Sequence, residues 1–227
     1  MRCGIWRRVT RGSLGLSLVA LLLATFMARG SLQAQEARVL PVDEAAEDAG
    51  FFAFRARLQR AIAERDTVAL LAVVDPDIKL SFGGDYGIAR FREMVADPSE
   101  QVWTELGTVL ALGGRFYGDS TFAAPYTFTD SPNGVDPFEA LIAIGDSVPV
   151  HAAPGDDADV LATLSFDVLR HAWDSRDPVP DGWTAVRLQD DTIAYVRSRS
   201  VRSPIDHRAI FSRRDGRWWM ITFIAGD

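Results

Sequence analysis

The residue types that most often carry catalysis are few in this 227-residue chain, and they stand apart from one another. Its three histidines are His151, His171 and His207. No two of them share the three- or four-residue spacing that sets a pair of ligands on one helix face, so a zinc site has no local scaffold. They read as strand or surface histidines. The single cysteine, Cys3, lies among the arginines at the N-terminus, which leaves the remainder without a thiol nucleophile, a disulfide or a lipid anchor. Gly118-Asp119-Ser120 and Gly145-Asp146-Ser147 share the nucleophile block of lipase-like hydrolases. No Asp-x-x-His follows either, and neither sits in a Gly-x-Ser-x-Gly elbow. Turns with Asx-type bonding account for both. Gly155-Asp156-Asp157-Ala158-Asp159 gathers three carboxylates that could face calcium, yet the distal glutamate of an EF-hand loop is missing and solvated loop acids are the simpler reading. No catalytic residue, metal ligand or cofactor is assigned.

The elements that would position these groups fall into two textures. From Phe51 the apolar residues Phe51, Phe54, Leu58, Ala61 and Ile62 recur at helical steps between arginines, which predicts an amphipathic helix. Asp66 then caps a second short helix over residues 67–74 that stops at Asp75-Pro76. Ile78, Leu80 and Phe82 alternate with polar residues as a short strand ending at Gly83-Gly84. Ile88, Phe91, Met94 and Val95 suggest a third helix. Asp97-Pro98-Ser99-Glu100 supplies a cap, a proline and a glutamate for a fourth, running through Trp103, Leu106 and Leu110. Residues 115–146 read as an aromatic-rich connector with one short helix near Asp136-Pro137-Phe138-Glu139.

After Asp146 five short β-branched or alternating runs follow at roughly ten-residue spacing: Val148 to His151, Val160 to Leu164, Val168 to Trp173, Trp183 to Leu188 and Ile193 to Val196. That spacing argues for a small all-β barrel, because closing the sheet removes its exposed edges. Asp215-Gly216 between Ile205–Phe211 and Trp218–Ile224 marks a hairpin. The last run is apolar on both faces, so it is expected to dock into the N-terminal part rather than form an edge.

Export is read from the N-terminus. Four arginines precede the apolar run from Leu14 to Met27 and then small residues, the order of a secretory signal. That run of about 14 residues is shorter than the roughly 20 a bilayer span needs, so no permanent membrane anchor is expected. Cleavage near Ala34 would leave 19 basic against 31 acidic residues, a net charge of −12, which argues against nucleic acid as a partner. The protein is expected to be periplasmic or secreted. Residues 35–50, rich in Ala, Glu and Asp and free of aromatics, read as a flexible leader.

Residues 147–203 resemble the bacterial SH3-like (SH3b) family in Val148-Pro149-Val150-His151-Ala152-Ala153-Pro154, Val160-Leu161-Ala162-Thr163-Leu164, Gly182-Trp183-Thr184-Ala185-Val186-Arg187-Leu188 and Ala194-Tyr195-Val196-Arg197-Ser198. Departures at Pro149, Asp191 and Ala194 touch turn geometry more than the core. Cell-wall peptidases with such modules use a cysteine and a histidine, and that thiol is absent here. The flanking segments are similar to the cystatin-like α+β cone of ketosteroid-isomerase relatives. The expected fold class is therefore α+β: a helical N-terminal domain over 51–146, an SH3-like barrel over 147–203 and a C-terminal β-hairpin over 204–227.

Phe166, Trp173, Trp183 and Tyr195 are the aromatics such a barrel would present to an extended ligand. Trp183 and Tyr195 are assigned to the core, which leaves Phe166 and Trp173 as the ligand-binding candidates. The leading expectation is an exported, non-enzymatic module that recognises a cell-wall peptide or an envelope protein. The alternative is a small-ligand pocket or enzyme in the N-terminal domain, lined by Phe82, Phe91, Trp103 and Tyr126. A structural partner of an envelope protein, completed through the last strand, is the third.

Overall fold

The computed structural model describes Met1 and residues 37–132, 134–175 and 178–226, so the segment read above as a secretory signal lies outside the described residues apart from Met1. It is a mixed α+β arrangement of two sheets and a few helices. Among the described residues no helix is long and apolar enough to cross a membrane.

The first sheet has five strands. They are β1 (Val74–Lys79), β2 (Arg115–Phe116), β3 (Thr121–Ala124), β11 (Arg208–Arg214) and β12 (Arg217–Ile224), in the order β1-β12-β11-β3-β2. Helices α1 (Ala49–Glu64), α2 (Thr67–Leu71), α3 (Ile88–Ala96) and α4 (Val102–Ala111) share one core with it. α1 buries the predicted stripe of Phe51, Phe54, Leu58, Ala61 and Ile62, and the Asp48 carboxylate caps it by accepting from the Phe51 amide at 2.6 Å. Phe51 is the hub: its ring lies 4.2 Å from Phe122, 4.8 Å from Trp218 and 5.6 Å from Phe211, centroid to centroid. Each such fully buried ring contributes about 1.5–3 kcal/mol of transfer free energy.

β12 lies between β1 and β11, as its two apolar faces require, and runs parallel to β1. Asp215 and Gly216 turn the β11–β12 hairpin with φ of +51° and +75°. Three local expectations change. α2 stops at Leu71 and the chain is already extended at Val74, because Val73 accepts the Met220 amide and Pro76 is tolerated on an edge strand. Asp97 caps only a single 3₁₀ turn, since Gln101 takes a left-handed φ of +49° and α4 starts afresh at Val102. The connector supplies β2, β3 and the short helix α5 (Tyr126–Thr129), while Asp136 to Glu139 form a turn rather than a helix.

The second sheet is antiparallel and has seven strands: β4 (Ala140–Ala143), β5 (Val148–His151), β6 (Val160–Leu164), β7 (Val168–His171), β8 (Trp183–Arg187), β9 (Ile193–Arg197) and β10 (Val201–Arg202). Their order is β10-β4-β7-β8-β9-β5-β6. The five expected runs become β5 to β9. The barrel they were expected to close stays an open sheet, because β4 takes the edge of β7 that closure would need and leaves β6 as the opposite edge.

Residues 37–48, read above as a flexible leader, are built into the molecule. Ala37 and Val39 exchange backbone hydrogen bonds with Val168 and Phe166, and Val39 and Ala45 are buried. Charge pins this segment where apolar content could not: Arg38 to Asp167 at 2.7 Å, Asp43 bidentate on Arg55 at 2.7 and 2.8 Å, and Glu44 on Arg115 at 2.6 Å. From β10 Arg202 donates to Glu105 on α4 at 3.1 Å and to the His207 carbonyl, just before β11, at 2.8 Å.

Candidate functional site

A groove of about 510 Å³ opens where the second sheet meets the chain around Ser203 and Ala225. Leu141 and Val201, both buried, form its floor. Its two prominent walls are Trp173 and Phe138, whose rings are 72% and 56% exposed. Each is set by its local backbone. Trp173 follows β7 in a turn closed by the Ser175 amide on the Ala172 carbonyl, and Ala172 is tied to β8 through the Ala185 carbonyl. Phe138 stands in the turn that Asp136 holds by accepting from the Phe138 amide at 3.0 Å. The His171 amide bonds the Glu139 carbonyl at 2.7 Å, which brings the two turns together.

His171 backs the indole: the two rings stack with centroids 3.5 Å apart and planes 11° from parallel. Burial lowers the His171 pKa, and its Nδ1 is shielded without a hydrogen-bond partner among the described residues, so the ring is neutral at pH 7. With no carboxylate orienting it, it lacks the arrangement of a general base. The rim carries hydroxyls: Thr184 and Ser198 share a 2.8 Å hydrogen bond, and Ser203 accepts from the Ile205 amide at 3.3 Å. Asp206 is the single charged lining residue.

The two predicted ligand-binding residues are not brought together. Trp173 is in the groove, whereas Phe166 sits at the opposite end of β7, partly buried, with a φ of +62° and its carbonyl taken by Val39. Trp183 and Tyr195 are buried, Trp183 between His151 at 5.3 Å and the Arg197 guanidinium at 4.2 Å. Phe138 and Ile205 were missed as groove residues; the turn chemistry of Asp136-Pro137 was the only signal for the first.

The aromatics named for an N-terminal pocket are dispersed. Phe91 is fully buried in the main core, and Trp103 packs on its edge. Phe82 is half exposed beneath Lys79 and Arg208. Tyr126 belongs to a separate small cluster with Val39 and Ile142, where burial pushes its pKa up to about 12.

In the acidic loop Asp156 is engaged by Arg197, and the Asp159 carbonyl by the Ala152 amide. Among the described residues no group of three or more His, Cys, Asp or Glu converges as a metal site would. The two Gly-Asp-Ser blocks are turns: Asp119 offers its carbonyl to Arg213, and Asp146 accepts from the Ser165 hydroxyl at 2.5 Å.

No protein-family model matches the chain, and no curated protein matches it in sequence. Among solved structures it is similar to one described as a calcium/calmodulin dependent protein kinase II association domain from Xanthomonas campestris. That similarity has 13% identity and a TM-score of 0.24, over 86% of this chain and 98% of that one. The functional reading therefore rests on the site alone.

Proposed function

We propose that this chain is an exported, non-catalytic binding module whose SH3-like sheet receives an extended peptide, from the cell wall or an envelope protein, in the groove beside Trp173. One observation carries the reading: an indole 72% exposed and a phenyl ring 56% exposed flank one apolar floor. Leaving two large rings in water contributes nothing to the fold, and contiguous exposed apolar surface marks interaction sites. Flat rings accept an extended chain at little entropic cost, and the Thr184, Ser198 and Ser203 hydroxyls can bond its backbone. The SH3-like reading is supported by the five expected strands, β5 to β9, forming one antiparallel sheet in which β5 pairs with both β6 and β9. Helices sharing one core with a five-stranded sheet support a cystatin-like reading of the first module.

The test is sedimentation of the purified mature protein with insoluble peptidoglycan at low and moderate salt, with calorimetry on soluble wall peptides. Saturable binding that survives moderate salt and weakens at least tenfold in both Trp173→Ala and Phe138→Ala is expected. Binding indifferent to both substitutions would remove the groove from the function, and no binding to either wall preparation would remove the wall as its source of ligand.

A further inference from the structure

We propose that the groove beside Trp173 selects its peptide by a lysine-type side chain, an alkyl stem ending in a primary ammonium; the inference rests on the reading of that groove as a peptide site. Charge gives the first indication. The lining holds one charged residue, Asp206, and no base, since His171 is neutral. The Asp206 carboxylate is set in place by its own turn: it accepts from the Ser203 amide at 3.0 Å, and the Asp206 amide returns to the Ser203 carbonyl at 3.2 Å. The Gly226 amide, on the Ile205 carbonyl at 2.8 Å, ties that turn to the residues after β12. Asp206 has no ion-pair partner among the described residues. His207, next to it in sequence, lies 3.6 Å from Glu105 and stacks on the Phe223 ring at 4.9 Å, and burial lowers its pKa, so it brings no charge to the turn at pH 7.

The independent observation is which rings of this chain already hold a cation. Phe82, Phe128, Trp183, Trp218 and Trp219 each lie under a lysine or arginine of the same chain, 4.2 to 5.5 Å from the ring centroid. Trp173 and Phe138 are the most exposed tryptophan and phenylalanine among the described residues, and there they carry none. The group on the back of the Trp173 indole is a neutral imidazole, which leaves the negative potential of the open face uncompensated. A cation from outside the chain fits both the rings and the acid. The apolar floor of Leu141 and Val201 takes the methylene stem while the head stays at the wet rim. One Asp206 oxygen is already used by the Ser203 amide. A guanidinium fork makes its strongest pair with both oxygens of a carboxylate, whereas an ammonium needs only one, so the geometry favours lysine over arginine.

The test is calorimetry with N-acetylated peptide amides Ala-Ala-Xaa-Ala-Ala in which Xaa is lysine, Nε-acetyl-lysine or arginine, and with an all-alanine pentapeptide amide whose N-terminal amine is free. The lysine peptide is expected to bind most tightly, and acetylation of its side chain to cost roughly fivefold to tenfold. Asp206→Asn, which keeps an oxygen for the Ser203 amide, should cause a loss of similar size for the lysine peptide and none for the acetylated one. If Trp173→Ala weakens every peptide while acetylation and Asp206→Asn change nothing, the groove stands as a peptide site and the ammonium inference falls. Tighter binding of the arginine peptide, or of the peptide with the free terminus, would equally overturn the lysine-type side chain. Binding of none of the peptides would overturn it too, with the groove itself then judged by the wall-peptide calorimetry.

Discussion

The His171 imidazole covers one face of the Trp173 indole at 3.5 Å and leaves the other face to solvent. A ring braced in this way has lost its rotational freedom before any ligand arrives, so the entropy that binding would otherwise have to remove is already gone. His171 in turn is fixed through its amide to Glu139, the residue that follows Phe138. The two walls of the groove are therefore held at a set separation by backbone rather than by side-chain contact.

His171→Ala should consequently weaken peptide binding without touching the ligand. A loss of roughly threefold to tenfold is expected, smaller than for Trp173→Ala, because only preorganisation is removed. Calorimetry with a wall peptide against both variants checks the ranking, and equal losses would make the imidazole a contact residue.

Stability should fall as acid is added, starting near neutrality. Burial lowers the pKa of both His171 and His207 below 6.5. Between the folded and unfolded values the unfolded chain binds more protons, so stability rises with pH and is complete above about 6.5. It should decline as pH drops from 7 toward 5, and His171→Gln/His207→Gln should flatten that decline. Urea midpoints at pH 5, 6 and 7 for both proteins provide the comparison.

Glu105→Ala should destabilise the protein by about 1–3 kcal/mol. The Arg202 side chain is 7% exposed and its Nε has no hydrogen-bond partner among the described residues, so removing Glu105 leaves a buried cation with only the His207 carbonyl. Glu105→Gln should recover part of the loss. A denaturation midpoint unchanged in Glu105→Ala would show that Arg202 is solvated in solution.

Gly114→Ala should be among the most damaging single changes. A Cβ there would stand 2.0 Å from the Ala123 carbonyl oxygen, where β2 meets β3. A cost of roughly 3 kcal/mol or more is expected, seen as lost soluble yield or a lowered melting temperature. Gly118→Ala, with open space and a φ of +65°, should cost only about 1 kcal/mol. Similar midpoints for the two variants would contradict the close approach.

The sequence was legible wherever an element carried its own period. The α1 stripe from Phe51 to Ile62, the strands around Trp183 and Ile193, and the Asp215-Gly216 turn need no tertiary partner to declare themselves. Val74 reads as the end of a helix that Asp75-Pro76 stops, with a strand only from Ile78, and the strand takes in Val74 to Lys79 because β12 offers it a parallel neighbour. Thr121–Ala124 and Ala140–Ala143 are almost wholly buried and so show no alternation. The ordered leader was hidden for a different reason: ion pairs to Asp167, Arg55 and Arg115, distant in sequence, hold it, and composition does not reveal them. Trp173 was recognisable as the aromatic that closes the run from Val168, although the strand itself stops at His171. Phe138 and Ile205 reach it only through the fold.

The parallel pairing of β1 with β12 also decides when this protein can fold. Val74 waits for Met220, so as the chain leaves the ribosome the first module has its helices but lacks the inner strands β11 and β12 until nearly all of the described sequence has been made. The second sheet, between them in sequence, can assemble meanwhile from neighbouring strands. Synthesis should therefore yield a folded insert inside an unfinished host. Chains that stop short of Arg217 should expose the Phe51 cluster and be cleared as misfolded, even with the peptide groove's walls already in place.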